Sequence, residues 1–318
     1  MRITIKYFFQ GGLIGIGNII PGVSGATIAL LLGIYKRLIT AIDALNIQSI
    51  LAVLKSLPNL KNFKEEMHKI QGGFLTAILL GVLTFVYIFS FAISYSLDHY
   101  HDATYSLFFG LILASVVIPL RLAKDKKWYN WIIALLAIVI VVSLSFGITV
   151  EDQAKAHQKK TMIKKGIVQS NIETNYYQLG YYFLAGAIAI SAMILPGISG
   201  SFILLLMGSY FDILLAIKQL NILLLAFFGC GCLVGLIGFT KIMKYLLEKY
   251  ESALMFFLSG LIFGSLYSIW PFKEVLVVDD MVFYGKNVLP NIYNLHFLVC
   301  LGVCLVGIIL VKIFSRHE

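Results

Sequence analysis

The pentapeptide Pro-Gly-x-Ser-Gly occurs twice, as Pro21-Gly22-Val23-Ser24-Gly25 and as Pro196-Gly197-Ile198-Ser199-Gly200. Its residue types suit the holding of an anion. A proline with two glycines interrupts a helical hydrogen-bond ladder, and the first N–H groups of the helix that resumes have no internal partner. The positive end of that helix faces the break, where it attracts phosphate or carboxylate. Gly25 and Gly200 allow a ligand close to the backbone, and Asn18, Thr27 and Ser201 could add hydrogen-bond donors. Ser24 and Ser199 stand where an N-cap belongs. Each hydroxyl therefore has two readings, a ligand contact or plain capping, and both stay open. No charged residue lies between Gln10 and Tyr35 or between Gln178 and Tyr210, so two such breaks would bind an anion with dipoles rather than with a buried Arg or Lys. Pro21, Gly22, Pro196 and Gly197 complete the expected substrate-contacting set. Just beyond the breaks, Arg37 is a further candidate for substrate contact and Asp212 for a coupling proton or cation, although an interfacial charge can also be merely solvated. No buried proton relay is evident.

The elements that carry these residues must be membrane helices. With 59% hydrophobic and 13% charged residues and a mean hydropathy of +0.90, the composition excludes a soluble globular protein. Apolar runs of spanning length (roughly 20 residues) are predicted at 72–97, 104–120, 129–150, 221–240, 252–270 and 294–314. Two longer apolar stretches, 8–42 and 178–217, carry the breaks. As continuous helix, 35 residues would be ~50 Å long against ~30 Å of hydrocarbon, so each stretch is predicted to be a re-entrant hairpin rather than a Pro-kinked span. The basic start, Met1–Lys6, runs straight into the first motif and does not read as a cleavable signal.

Half one resembles half two. Aligning Pro21 with Pro196 makes eleven of 22 positions identical over 21–42, Gly33/Gly208 and Tyr35/Tyr210 among them. Similarity resumes at an offset of 150, where Gly110-Leu111-Ile112-Leu113-Ala114-Ser115 faces Gly260-Leu261-Ile262-Phe263-Gly264-Ser265. The extra length falls in 43–71. The chain is thus predicted to be an all-α polytopic protein of two repeats, 1–150 and 178–318, joined by a polar extracytoplasmic loop, 151–177. Each repeat is a hairpin plus three spans. Because three is odd, the second repeat enters from the opposite side, and the repeats are inverted around a midplane site.

The net charge of +9 raises the question of a nucleic-acid partner, and the placement of the charges answers it. With re-entrant hairpins, 17 of the 25 Lys and Arg fall on one side, the positive-inside bias that puts both termini in the cytoplasm. If each broken stretch crossed once, the split would be 12 against 13. The basic loop residues Lys155–Lys165 run against the bias. No nucleic acid, metal or cofactor is expected. Cys300 and Cys304 share a helix face without His or carboxylate at ligand spacing, and nothing indicates disulfides. The cluster Asp98 to Asp102, with His99 and His101, reads as a solvated turn rather than a metal site.

At Asn18-Ile19-Ile20-Pro21-Gly22-Val23-Ser24-Gly25-Ala26-Thr27, Leu32-Gly33-Ile34-Tyr35, Ile194-Leu195-Pro196-Gly197-Ile198-Ser199-Gly200-Ser201 and Gly208-Ser209-Tyr210, the chain resembles the PopT-type family of bacterial polyprenyl-phosphate translocases, once a domain of unknown function. The resemblance covers essentially the whole chain, with Ala26 where a third glycine is usual. It implies a non-enzymatic transporter of the bacterial plasma membrane. Its cargo would be undecaprenyl phosphate, returned from the outer to the cytoplasmic leaflet for reuse in cell-wall synthesis. Membrane lipids, and protons or cations as coupling ions, are the other implied partners. From the residues alone an ion-coupled carrier of small anions remains an alternative, because a helix N-terminus does not distinguish lipid phosphate from a soluble anion. A membrane lipid phosphatase fits less well, because no acid–base pair lies beside the motifs.

Overall fold

A computed structural model describes residues 2–20, 23–147, 175–278 and 281–314. Pro21, Gly22 and nearly all of the expected loop 151–177 lie outside the described residues. The first half folds as α1 (Arg2–Ile19), α2 (Gly25–Leu31), α3 (Tyr35–Asp43), α4 (Ile47–Ser56), α5 (Leu60–Lys69), α6 (Gly72–His99), α7 (His101–Ser115), α8 (Val117–Leu122) and α9 (Trp128–Phe146). The second contains α10 (Tyr176–Ile194), α11 (Gly200–Leu206), α12 (Tyr210–Gln219), α13 (Ile222–Lys249), α14 (Glu251–Ser268), an antiparallel pair β1 (Lys273–Val278) and β2 (Met281–Asn287), and α15 (Leu295–Phe314). Among the described residues seven helices are long and apolar enough to cross a membrane, or up to nine if each bent pair counts as one span. The protein is an all-α polytopic membrane protein apart from the small β pair.

The six expected spans fall on α6, α7 with α8, α9, α13, α14 and α15, with shifted ends. The expected span 104–120 starts earlier and is broken at Val116. Pro119, three residues on, has no N–H to give the helix, and the Ser259 hydroxyl donates to the Val116 carbonyl there (2.8 Å). The span expected to end at 240 continues to Lys249 because its last turns are amphipathic: Lys244 pairs with Asp43 at 2.8 Å. The first arm of the second hairpin, α10, is itself of crossing length, which the sequence reading did not count.

Each expected hairpin is three helices rather than two arms. A long first arm leads to the break, a seven-residue helix follows, and a third helix turns away by 118° in the first half and 106° in the second. The turn has one cause in both halves. Gly33 and Gly208 take positive φ, 65° and 72°. Around them Ile34 N–H donates to Ala29 C=O and Gly33 N–H to Leu30 C=O, as Ser209 N–H does to Leu204 C=O and Gly208 N–H to Leu205 C=O. These are paired Schellman endings, which need a residue free to be left-handed.

Packing pairs the helices in a pattern that is unchanged when the halves are exchanged. α1 lies along α6 as α10 lies along α13, and α7 lies along α15 as α14 lies along α9. Small residues allow the approach. A Cβ on Gly81 would sit 1.9 Å from the Phe8 carbonyl oxygen, and one on the equivalent Gly231 would sit 1.9 Å from that of Phe183. α14 is the most buried of the spanning helices, and its Phe256, Leu258, Leu261 and Ile262 form the centre of the core.

Candidate functional site

The two motifs meet. Ser24 Oγ donates to the Leu195 carbonyl (3.3 Å), Gly197 N–H donates to Thr27 Oγ1 (3.1 Å), and Tyr35 Oη donates to the Ile194 carbonyl (3.0 Å). Residues 170 positions apart thus supply one another's missing partners inside an apolar protein, where an unmet polar group is costly. Ser24 and Thr27 are buried.

Within this contact the helix starts differ. At α2, Gly25 N–H donates to Asn18 Oδ1 (2.8 Å) and Ala26 N–H to Ser24 Oγ (3.3 Å), so Ser24 is an N-cap and Asn18 a second one. At α11 no side chain caps the first amides. Ser199 Oγ instead exchanges a hydrogen bond with Ser201 Oγ (2.9 Å), a correction to the capping reading for that serine. The sequence difference behind this is local. The position equivalent to Asn18 is Met193, whose Cγ would lie 2.5 Å from a Cβ placed on Gly200. A thioether covers the helix start there without accepting from it. Pro196 and Gly197 form the turn itself. Gly197 has φ +83°, the positive value a Pro-Gly type II turn uses, and a Cβ on it would meet the Leu261 carbonyl oxygen at 2.6 Å.

Beside the second motif lies a small cavity, partly open to solvent, walled by Val141 and Leu144 of α9 with Ile198 and Phe202, and carrying the hydroxyls of Ser145, Ser199 and Ser268. Ser145 and Ser268 hydrogen-bond across it at 2.6 Å. Its lining contains no charged side chain.

The expected set therefore divides. Asn18, Ser24, Gly25 and Thr27 are drawn together and occupied with one another and with 194–197. Gly197 and Ser199 face the cavity, Pro196 and Gly200 are buried behind it, and Ser201 is exposed. Pro21 and Gly22 are outside the described residues. Arg37 and Asp212 stand apart from the breaks. Arg37 lies between the rings of Tyr7 and Phe74, 4.6 and 4.4 Å from their centroids, and donates to Gln71 Oε1 (2.8 Å) and to Tyr7 Oη. Asp212 accepts from Tyr182 Oη (3.1 Å). At the repeat offset of 175, Tyr7 matches Tyr182 and Arg37 matches Asp212, so one architectural position carries opposite charges in the two halves. Sequence reasoning missed Tyr35, although its identity with Tyr210 was a signal. It also missed Ser145 and Ser268, for which no signal existed because their spans are separate in the chain.

Ion pairs join α3 to the α13–α14 corner. Glu251 pairs with Lys36 (3.1 Å) and Lys124 (2.7 Å), and Lys244 pairs with Asp43. The hydrogen bond and charge of Glu251 hold the Lys124 ammonium above the ordinary lysine pKa. At the opposite end Asp102 bridges His101 (2.9 Å) and His296 (3.0 Å), tying α7 to the start of α15. Among the described residues no group of three or more His, Cys, Asp or Glu could hold a metal ion.

Residues 14–282 match the model of an undecaprenyl phosphate translocase-like family. The chain is 37% identical over 276 residues to a polyprenyl-phosphate transporter of Vibrio cholerae, covering 86% of this chain and 80% of the relative. It is 32% identical over 209 residues to a polyprenyl-phosphate transporter of Staphylococcus aureus, covering 62% and 68%. No solved structure matches.

Proposed function

The chain belongs to the undecaprenyl phosphate translocase-like family, and from that membership we propose that it carries polyprenyl phosphate between the leaflets of a bacterial plasma membrane. The phosphate head is handled at the paired breaks and returned from the outer to the cytoplasmic side. The observation that carries the site is the mutual hydrogen bonding of the two motifs. It supports a reading in which both breaks serve one place rather than kinking separate helices.

Inverted repeats are supported by the exchange-invariant helix pairing. A re-entrant path is supported by Arg37 of α3, which lies against Tyr7 near the start of α1; the chain has come back to the end from which it set out. Asp212 and Tyr182 do the same for α10 and α12. On this topology both termini are cytoplasmic, and repeats 1–150 and 178–318 flank an extracytoplasmic loop. The ion pairs of Glu251 and Lys244 then lie on the cytoplasmic side, and the cavity opens beside the outer ends of α9 and α14. On this same topology the described form is read as outward-facing.

The division of labour follows from solvation. The phosphate is the costly part to carry through hydrocarbon, and Ser145, Ser199 and Ser268 offer it hydroxyls in place of water. The prenyl tail stays in lipid beside the apolar wall of α9. Rocking of the halves would break the Ser24, Thr27 and Tyr35 contacts and form their repeat-related counterparts, Tyr210 reaching Ile19 as Tyr35 now reaches Ile194. Asp212 is the coupling candidate.

The test is transport of undecaprenyl phosphate by the purified protein in liposomes, beside the Ser24→Leu/Ser199→Leu double variant. Protein-dependent flipping that the variant loses is expected. Passage of a soluble anion with no movement of the lipid would overturn the reading.

A further inference from the structure

The cavity at the second motif has hydroxyls and no charge in its lining, yet a phosphomonoester is anionic and must be drawn out of water. Among the described residues one lysine, itself outside this lining, bonds to the backbone of a wall residue. Lys273 starts β1 and folds back over the end of α14, where its Nζ donates to the Ser268 carbonyl at 3.0 Å. Ser268 is the residue whose hydroxyl lines the cavity. The strand pair that carries Lys273 is fixed above this point. Trp270 Nε1 donates to the Val288 carbonyl (3.0 Å), Asn287 Nδ2 to the Tyr267 carbonyl (2.8 Å) and Val288 N–H to the Phe272 carbonyl (3.0 Å).

Among the described residues the Lys273 side chain makes this one hydrogen bond and no ion pair. Lysine on an exposed strand is ordinarily solvated, whereas this one is half-buried. Burial pulls its pKa below the ordinary lysine value, the mark of a cation short of water and of counter-charge. An ammonium has three donors, and the Ser268 carbonyl takes one.

Resting on the transport reading above, we propose that Lys273 is the phosphate-recognising residue of the outward-facing site. In this role its two remaining donors engage the oxygens of a phosphomonoester whose head sits among Ser145, Ser199 and Ser268. The anion restores the counter-charge that burial removed, and the charge-assisted contact selects phosphate over an uncharged prenol head. A bare helix N-terminus is weaker at such selection, because its half-charge serves any polar group. The competing explanation is that Lys273 only caps the C-terminal end of α14.

The experiment uses the full chain in nanodiscs and compares wild type, Lys273→Gln and Lys273→Arg for binding of undecaprenyl phosphate, undecaprenol and inorganic phosphate. Lys273→Gln is expected to weaken undecaprenyl phosphate about 10- to 100-fold, the range for losing a hydrogen bond to a charged group. Undecaprenol binding should be unchanged, and Lys273→Arg should retain most of the affinity. Competition by inorganic phosphate in wild type but not in Lys273→Gln supports a site that also takes free phosphate. Lysine-dependent binding of the lipid without such competition supports a site for the lipid head alone. Undecaprenyl phosphate bound equally by wild type and Lys273→Gln overturns the proposal and leaves the transport reading intact. Equal loss of undecaprenol and undecaprenyl phosphate also overturns it, in favour of capping. A wild type that binds neither lipid overturns the transport reading and this proposal with it.

Discussion

From their serines onward the two Pro-Gly-x-Ser-Gly segments run alike, Ser24 and Ser199 both extended before a seven-residue helix, but their surroundings are opposite. In the first, Asn18 and Ser24 cap the short helix, and the Ser24 and Thr27 side chains are spent on the other segment. In the second, the helix start has no side-chain cap and Ser199 lines an open cavity. On the alternating mechanism proposed above, part of this contrast belongs to the conformation, because only one side can be open at a time. Part is permanent, because Met193 replaces Asn18 and Phe202 replaces Thr27 at equivalent positions. The repeats are therefore symmetric in path and unequal in chemistry. We infer that the second break receives the anion while the first holds the closed side together.

The strongest way to break the contrast is Gly197→Val. The residue would need both the left-handed conformation and space now held by the Leu261 carbonyl, so folding yield and transport should both collapse; near-normal transport would mean that the turn is not required. Next in size is accessibility. In a background without the four native cysteines, Ser199→Cys should react with a membrane-impermeant maleimide from outside at least ~10-fold faster than Ser24→Cys, a lower bound taken from the change of about 1.4 kcal/mol in opening free energy that a factor of ten represents. Equal rates would show that burial of the first motif does not persist in the membrane.

Thr27→Val sharpens the comparison more gently. It leaves the Gly197 N–H without its acceptor and should cost about 1–3 kcal/mol of the closed contact, read as faster labelling of Ser24→Cys from the cytoplasmic side. An unchanged rate would remove Thr27 from the contact. The smallest effect is expected from Glu251→Gln. Its partners Lys36 and Lys124 are largely exposed, and surface pairs are worth roughly 0–1 kcal/mol. Cytoplasmic labelling should rise by no more than a few-fold, less at high salt than at low salt; a large, salt-independent change would make these pairs a principal lock.

Much of this was legible in the chain because membrane burial makes composition and length decisive. A run without charge has few alternatives to a span, and a proline with two glycines has few ways to continue a helix. The repeat exposed Gly33/Gly208 and Tyr35/Tyr210, although their identity did not say that the glycines end the short helices or that Tyr35 reaches Ile194. The Val116 break and the extension of α13 to Lys249 were hidden because both are settled by neighbours, Ser259 in one case and Asp43 in the other.

By itself, then, the sequence determined the class of protein, the number and approximate place of the apolar segments, the two breaks and their kinship, since each depends on residues adjacent in the chain. Only the tertiary structure decided that Ser24 is spent on the other segment while Ser199 lines a cavity, that Arg37 is held between two aromatic rings, and that Ser145 and Ser268 gather at the second break. The reason is physical. A hydrogen bond or a cavity wall is made by groups up to 215 residues apart, and their meeting is set by how whole helices pack, which no local pattern encodes.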